Sequence, residues 1–324
     1  MRKPDIRIGI NPIGWSNDDL PSLGIETPLE TALSEGAEIG YQGFELGNKF
    51  PKTGPELKQK LDEFGVVCVS GWYSAQLGRL DDWSLSQEIE AARPHMEKLQ
   101  YNDCQVVVYG EVSNSIQGQI TTPLSRRPRF TNDDQWQRYA QRLNEFGKHL
   151  KESYGLTLAY HHHMGAYVEH PDDIGRLMQL TDPSLVGLLF DTGHCWFGSA
   201  TNNPDQVIDV KETLIRHIDR VVHVHCKDVR PEVIHDIRNR DDSFLHAVLA
   251  GAFTVPGDGA IDFETVLGIL LGHGYKGWLV VEAEQDPKIA PPYRYGKLGH
   301  DTLLGIIDHH GDGSQPVGVR PQTA

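Results

Sequence analysis

Apolar and polar positions along the chain follow two periods that replace each other in turn. The runs "IRIGI", "GFEL", "VVCVSGW", "CQVVVY", "LTLAYH", "LVGLLFD", "RVVHVHC" and "GWLVVE" are short and have strand character, which predicts eight strands. Between them apolar residues shift to helical spacing, as in Leu57, Leu61 and Phe64, or Leu85, Ile89, Ala92, Met96 and Leu99. The longest stripe runs through Trp136, Tyr139, Ala140, Leu143, Phe146 and Leu150, and a last helix is expected from Tyr295 to His309. Capping boxes are expected at Thr27 with Glu30, Thr53 with Glu56 and Ser84 with Gln87, the first with Pro28 at the first helical position. Strict alternation of strand and helix implies parallel pairing through right-handed crossovers, and eight such units closing on themselves make an α/β fold, the (β/α)8 TIM barrel.

A chain of 324 residues suits one such barrel, so a single domain is expected over residues 1–310. Two segments break the rhythm, Glu111 to Thr131 and Val229 to Ile261. Both follow a strand, which places them over the C-terminal face of the barrel, where catalytic loops belong. The tail "GDGSQPVGVRPQTA" is rich in Gly, Pro and polar residues, and disorder is expected over 311–324.

Composition narrows the function. With 39% hydrophobic and 23% charged residues the chain reads as an ordinary globular protein able to bury a sizeable core. A formal net charge of −15 repels phosphate backbones and anionic membranes, so neither nucleic acid nor a membrane surface is an expected partner. Cys68, Cys104, Cys195 and Cys226 form no CxxC pair and sit in or beside apolar runs, which predicts reduced thiols and a cytoplasmic setting. No signal-peptide core follows "MRKPDIRIGINPIGW" and no run approaches a membrane span.

Barrel geometry tests the polar residues, because those alternating with outward apolar positions at strand C-termini converge on the barrel axis. On "LTLAYHHHM" the large apolar face is Leu156, Leu158 and Tyr160, so His161 and His163 are expected to point inward and His162 sideways. On "RVVHVHCKD" the same period groups His223, His225 and Lys227. Asp191 ends "LVGLLFD", with His194 on the following turn, and Glu282 is the first carboxylate on the inward face of "GWLVVEAE". "GFELGN" places Glu45 inward. Several adjacent strands thus deliver Asp, Glu or His to one end, which points to a divalent metal. His223, deeper in its strand, reads as a hydrogen-bonded core residue, and His309 with His310 as surface helix. A serine-hydrolase elbow, a P-loop and a dinucleotide fingerprint are all missing from the sequence.

The motifs "FDTGH", "HVHCKD", "PGDGAIDF" and "GYKGWLVVEAE" resemble, in order and placement, the xylose-isomerase-like barrels. "LAYHHHMG", "HCKDVRPEV" and "AGAFTVPGDG" narrow the resemblance to the myo-inosose-2 dehydratase family of inositol catabolism, up to about His310. The resemblance implies one divalent metal held at four strand ends by Glu, Asp, His or Gln, and Glu. Asp191, His225 and Glu282 match three of these, while His161 stands where the first Glu would be. It also implies His194 and Lys227 as catalytic proton handlers, with His163, Glu45 and Trp15 at the substrate. Manganese or cobalt is the implied metal, and glutathione is associated with the activity although no residue indicates it.

The implied reaction removes water from a cyclic polyol ketone, scyllo-inosose, giving a trihydroxycyclohexane dione through a metal-stabilised enolate. A ketose isomerase or epimerase could use the same enolate. A superfamily endonuclease would need a basic groove that the charge disfavours, and a noncatalytic sugar-binding protein would need none of the strand-end ligands for turnover. Self-association into a homo-oligomer is left open.

Overall fold

The computed structural model describes residues 5–203 and 205–311; the expected disordered tail lies outside the described residues apart from Gly311, which ends the last helix. Eight parallel strands close into a barrel: β1 (Ile6–Ile10), β2 (Gly43–Leu46), β3 (Val67–Ala75), β4 (Val106–Glu111), β5 (Thr157–His161), β6 (Val186–Asp191), β7 (Val221–Cys226) and β10 (Gly277–Val281). β1 pairs with both β2 and β10, which shuts the ring. All eight expected strands are present, and helices separate them as the alternation requires.

Period-two alternation sorts the side chains between two apolar compartments. Val106, Val108, Ala159, Leu189, Val69, Trp278 and Val280 fill the barrel interior. Leu158, Tyr160, Leu188, Phe190, Val224 and Cys226 face outward into the larger layer between strands and helices. There Phe146 and Leu150 of the helix Asp133–Tyr154 are fully buried, and Tyr109 stacks on Tyr160. No helix among the described residues is long and apolar enough to cross a membrane.

Local signals hold at most helix starts. Ser84 and Gln87 form the reciprocal capping box, and Thr53 accepts the Glu56 N–H. Thr27 with Glu30 does not cap. The chain stays extended through Pro28, which is itself the cap residue ahead of Leu29–Ile39 and offers no side-chain acceptor. The Thr27 carbonyl is instead held by Lys49 Nζ at 2.6 Å.

The segment expected as a long loop after β7 lies over the C-terminal face but has structure of its own. It holds an antiparallel ladder of β8 (Asp228–Val229) with β9 (Phe253–Thr254), and helices Pro231–Arg240 and Phe244–Leu249. Asp228 fastens it, its carboxylate accepting the N–H groups of Val229, Gly257, Gly259 and Ile261. Asp262 then caps the helix Phe263–Gly272 through the Thr265 N–H, as its sequence position predicts. All four cysteines are buried and free. Burial pushes the Cys195 thiol up to about 12, which removes it as a nucleophile.

Candidate metal centre and active site

Four consecutive barrel strands each end in a donor. β5 ends in His161, β6 in Asp191, β7 carries His225, and Glu282 follows β10; one ligand atom from each lies within 4.8 Å of the others, and all four residues are buried. Register explains the convergence, since Asp191 is the β-partner of His225 and the residue before Glu282 is the partner of Cys226. His161 Nε2 and His225 Nδ1 each stand 3.5 Å from Asp191 Oδ2, and His225 Nδ1 stands 2.9 Å from Glu282 Oε2. The two carboxylate oxygens and His225 Nδ1 are buried and make no well-directed hydrogen bond, although Lys227 Nζ stands 2.9 Å from Glu282 Oε2 and 3.4 Å from Asp191 Oδ2. Buried polar atoms are rarely left so, and two imidazoles with two carboxylates suit a divalent ion of the zinc, manganese or cobalt kind.

Charge supports the same fit. Asp191, Glu282, Glu284 and Glu45 are four buried carboxyls, and among the described residues the lysine or arginine paired with them is Lys227, which reaches the first three. Burying anions without counter-charge is costly, so the cluster is short of positive charge. Burial disfavours protonated His225, yet Glu282 and Glu45 on either side outweigh burial and hold the imidazole well above its ordinary value. A divalent ion would supply that charge and take the imidazole neutral.

Asp191 serves two structures at once. Its Oδ1 accepts the His194 N–H at 2.8 Å and caps the helix Thr192–Ser199, while Oδ2 faces the donor cluster. The cap also fixes His194 beside Lys227, whose Nζ is 3.0 Å from His194 Nε2, 2.9 Å from Glu282 and 2.8 Å from Glu284. Lys227 is wholly buried. Burial opposes its charge, but Asp191, Glu282 and Glu284 outweigh it and raise the ammonium above its ordinary value. Its stem passes directly over Gly193, where a Cβ would meet Lys227 Cγ at 2.6 Å. His223 is the hydrogen-bonded core residue its depth predicts, 2.8 Å from Glu45.

A cavity of about 310 Å³ opens onto this end of the barrel. His161, His163, His194 and Glu282 line it, together with Glu284 and Trp72. Trp72 forms one wall, edge-on to His161 and His163, and Gly110 makes room for its ring. Phe244 and Phe253, from the segment after β7, cover His163 and His194 on another side. Trp72, Glu284, Asp19 and Gln117 also line the cavity, and the sequence reading did not single them out. Trp72 shares the inward face of β3 with Ser70 and Ser74, and Glu284 continues the alternation beyond Glu282, so both carried a signal.

Two of the expected substrate contacts, Trp15 and Glu45, do not line this cavity. Trp15 is buried against Phe44 and donates its indole N–H to Glu35 at 2.6 Å. Glu45 points inward as expected but lies beneath the donors, accepting from Ser70, Asn11 and His223. Its Oε2 stands 3.0 Å from His225 Nε2, the position of a carboxylate that orients a metal-binding imidazole through its second nitrogen.

The model of the xylose isomerase-like TIM barrel family matches residues 33–298, and the chain belongs to that family. Within it the chain stands with the inosose dehydratases. The inosose dehydratase of Geobacillus thermodenitrificans is 44% identical over 296 residues, covering 91% of this chain and 95% of that protein. The rhizopine catabolism protein MocC of Rhizobium meliloti is 45% identical over 298 residues, 92% of this chain and 87% of its own length. A solved structure of an IOLI protein with a binding zinc atom superposes with a TM-score of 0.65 at 15% identity, covering 94% of this chain and 98% of that one. That likeness speaks for the fold.

Proposed function

We propose that this protein dehydrates a cyclic polyol ketone of the inosose class to a trihydroxycyclohexane dione, through an enolate. The observation that carries the reading is one end of the barrel holding a four-donor N/O cluster with a buried ammonium beside it, in a chain that belongs with the inosose dehydratases. Manganese or cobalt fits the donor set, held by His161, Asp191, His225 and Glu282; when bound, such an ion supplies Lewis-acid polarisation of the ketone oxygen.

The chain's own residues supply the rest. Lys227 is kept cationic by the carboxylates around it, so it stabilises developing negative charge and does not act as the base. Its ammonium donates to His194 Nε2, which orients that ring and leaves Nδ1 as its donor. His163 is bound the opposite way: Nδ1 lies 2.8 Å from the Met164 carbonyl, so that nitrogen carries the proton. Nε2 is then left as the acceptor, in a ring that lines the cavity, suited to take the proton from the carbon beside the ketone. Phe244 and Phe253 exclude water from this corner. Incubated with inosose, metal-reconstituted protein should develop dione absorbance and chelator-treated protein should not. Ketose epimerisation without dione would favour the isomerase reading instead.

His161 in place of a carboxylate lowers the anionic charge of the donor set from three to two, leaving a bound divalent ion a stronger Lewis acid. His161→Ala should therefore lower metal affinity by at least about tenfold, read as metal content after dialysis. Undiminished occupancy would remove His161 from the donor set.

A further inference from the structure

The mechanism so far has a proton acceptor and an electrostatic stabiliser, but expelling a hydroxyl also needs a proton donor, because hydroxide is a poor leaving group. Among the carboxyls lining the cavity, Glu282 and Glu284 are ion-paired to Lys227. Asp18 accepts the Asn48 N–H at the rim. Asp19 lines the same cavity and carries no ion pair among the described residues. It sits on the loop that follows β1, and its backbone is held firmly: the buried Asn17 side chain accepts the N–H groups of Asp19 and Leu20 at 2.9 and 2.8 Å. Across the cavity the Gln117 amide faces its carboxyl from the loop after β4. Burial, reinforced by the Glu284 and Glu282 charges, pushes the Asp19 carboxyl up to about 6, against the lowering pull of Gln117 and Lys227.

We infer that Asp19 is a further catalytic residue of this site, the donor of the proton with which the expelled hydroxyl leaves as water. The inference rests on the dehydratase reading above. In this step the enolate reverts to a ketone and its carbon–carbon π pair moves one bond along. The C–O bond breaks with its electron pair on oxygen, and that oxygen takes the Asp19 proton and departs as water. The carboxylate is reprotonated from solvent through the open cavity mouth before the next turnover.

Asp19→Asn keeps the shape and removes the donated proton. The test follows the metal-loaded variant with inosose in D2O by two readouts, dione formation and deuterium uptake beside the ketone of unreacted substrate. Dione formation should fall on the order of 10²–10⁴-fold while deuterium uptake continues, because enolate still forms and now returns. With an analogue carrying fluoride in place of the expelled hydroxyl, which leaves without protonation, the variant should stay within about threefold of wild type. Dione formation from inosose within that range would overturn the inference. So would loss of deuterium uptake together with dione, which would make Asp19 a residue of fold or binding. Wild-type protein that forms no dione at all would overturn the dehydratase reading itself, and the inference with it.

Discussion

Asp191→Asn is expected to strip the metal and lower dehydration by about 10³-fold or more, several kcal/mol of lost charge stabilisation. The substitution is nearly isosteric, and its consequences separate by atom. The side-chain oxygen can still accept the His194 N–H that caps Thr192–Ser199, so the helix and the fold should persist. Where Oδ2 stood, an NH2 group would face Lys227, His161 and His225, all within 3.5 Å of that oxygen. A donor there cannot bind a cation. Metal content and turnover should fall together while the far-ultraviolet circular dichroism stays that of the native protein. Full metal occupancy with normal turnover would take Asp191 out of the centre.

Lys227→Met is expected to act on both stability and catalysis. It leaves Glu284, Glu282 and His194 without the ammonium that each contacts at 2.8–3.0 Å. Breaking a buried ion pair by removing one partner costs about 3–5 kcal/mol, so a lower melting temperature is expected. Turnover should drop on the order of 10²–10³-fold, because the cation beside the donor cluster and the hydrogen bond that orients His194 are lost together. The two effects are separable by adding Glu284→Gln, which removes the stranded charge. The double variant should recover part of the stability and none of the turnover. Recovery of turnover along with stability would make Lys227 structural.

The barrel and its donors were legible because they follow one rule. Inward positions recur every second residue, so His161, Asp191, His225 and Glu282 could be placed from their strands alone. The rule fixes direction but not depth, which is why Glu45 points inward as expected yet sits under His225 rather than in the cavity. Trp15 and Asp19 lie on the loop after β1, where no period operates; one turns into the core against Phe44, the other lines the cavity. The helices Pro231–Arg240 and Phe244–Leu249 span ten and six residues. The first is short and largely polar and the second is a nearly continuous apolar run, so neither shows a stripe of helical spacing. Thr27 with Glu30 shows the converse, a capping signal left unused because the chain stays extended through Pro28 and the helix starts at Leu29.

The strand-end centre is expected to drive loss of water from a polyol ketone. Mass spectrometry of inosose incubated in D2O with the metal-loaded protein tests it most directly. A product lighter by one water, apart from the deuterium it takes up as the enol ketonises, is expected, and none when the metal is removed by a chelator. A product that keeps its oxygen count and gains only deuterium would contradict the account and assign the centre to isomerisation.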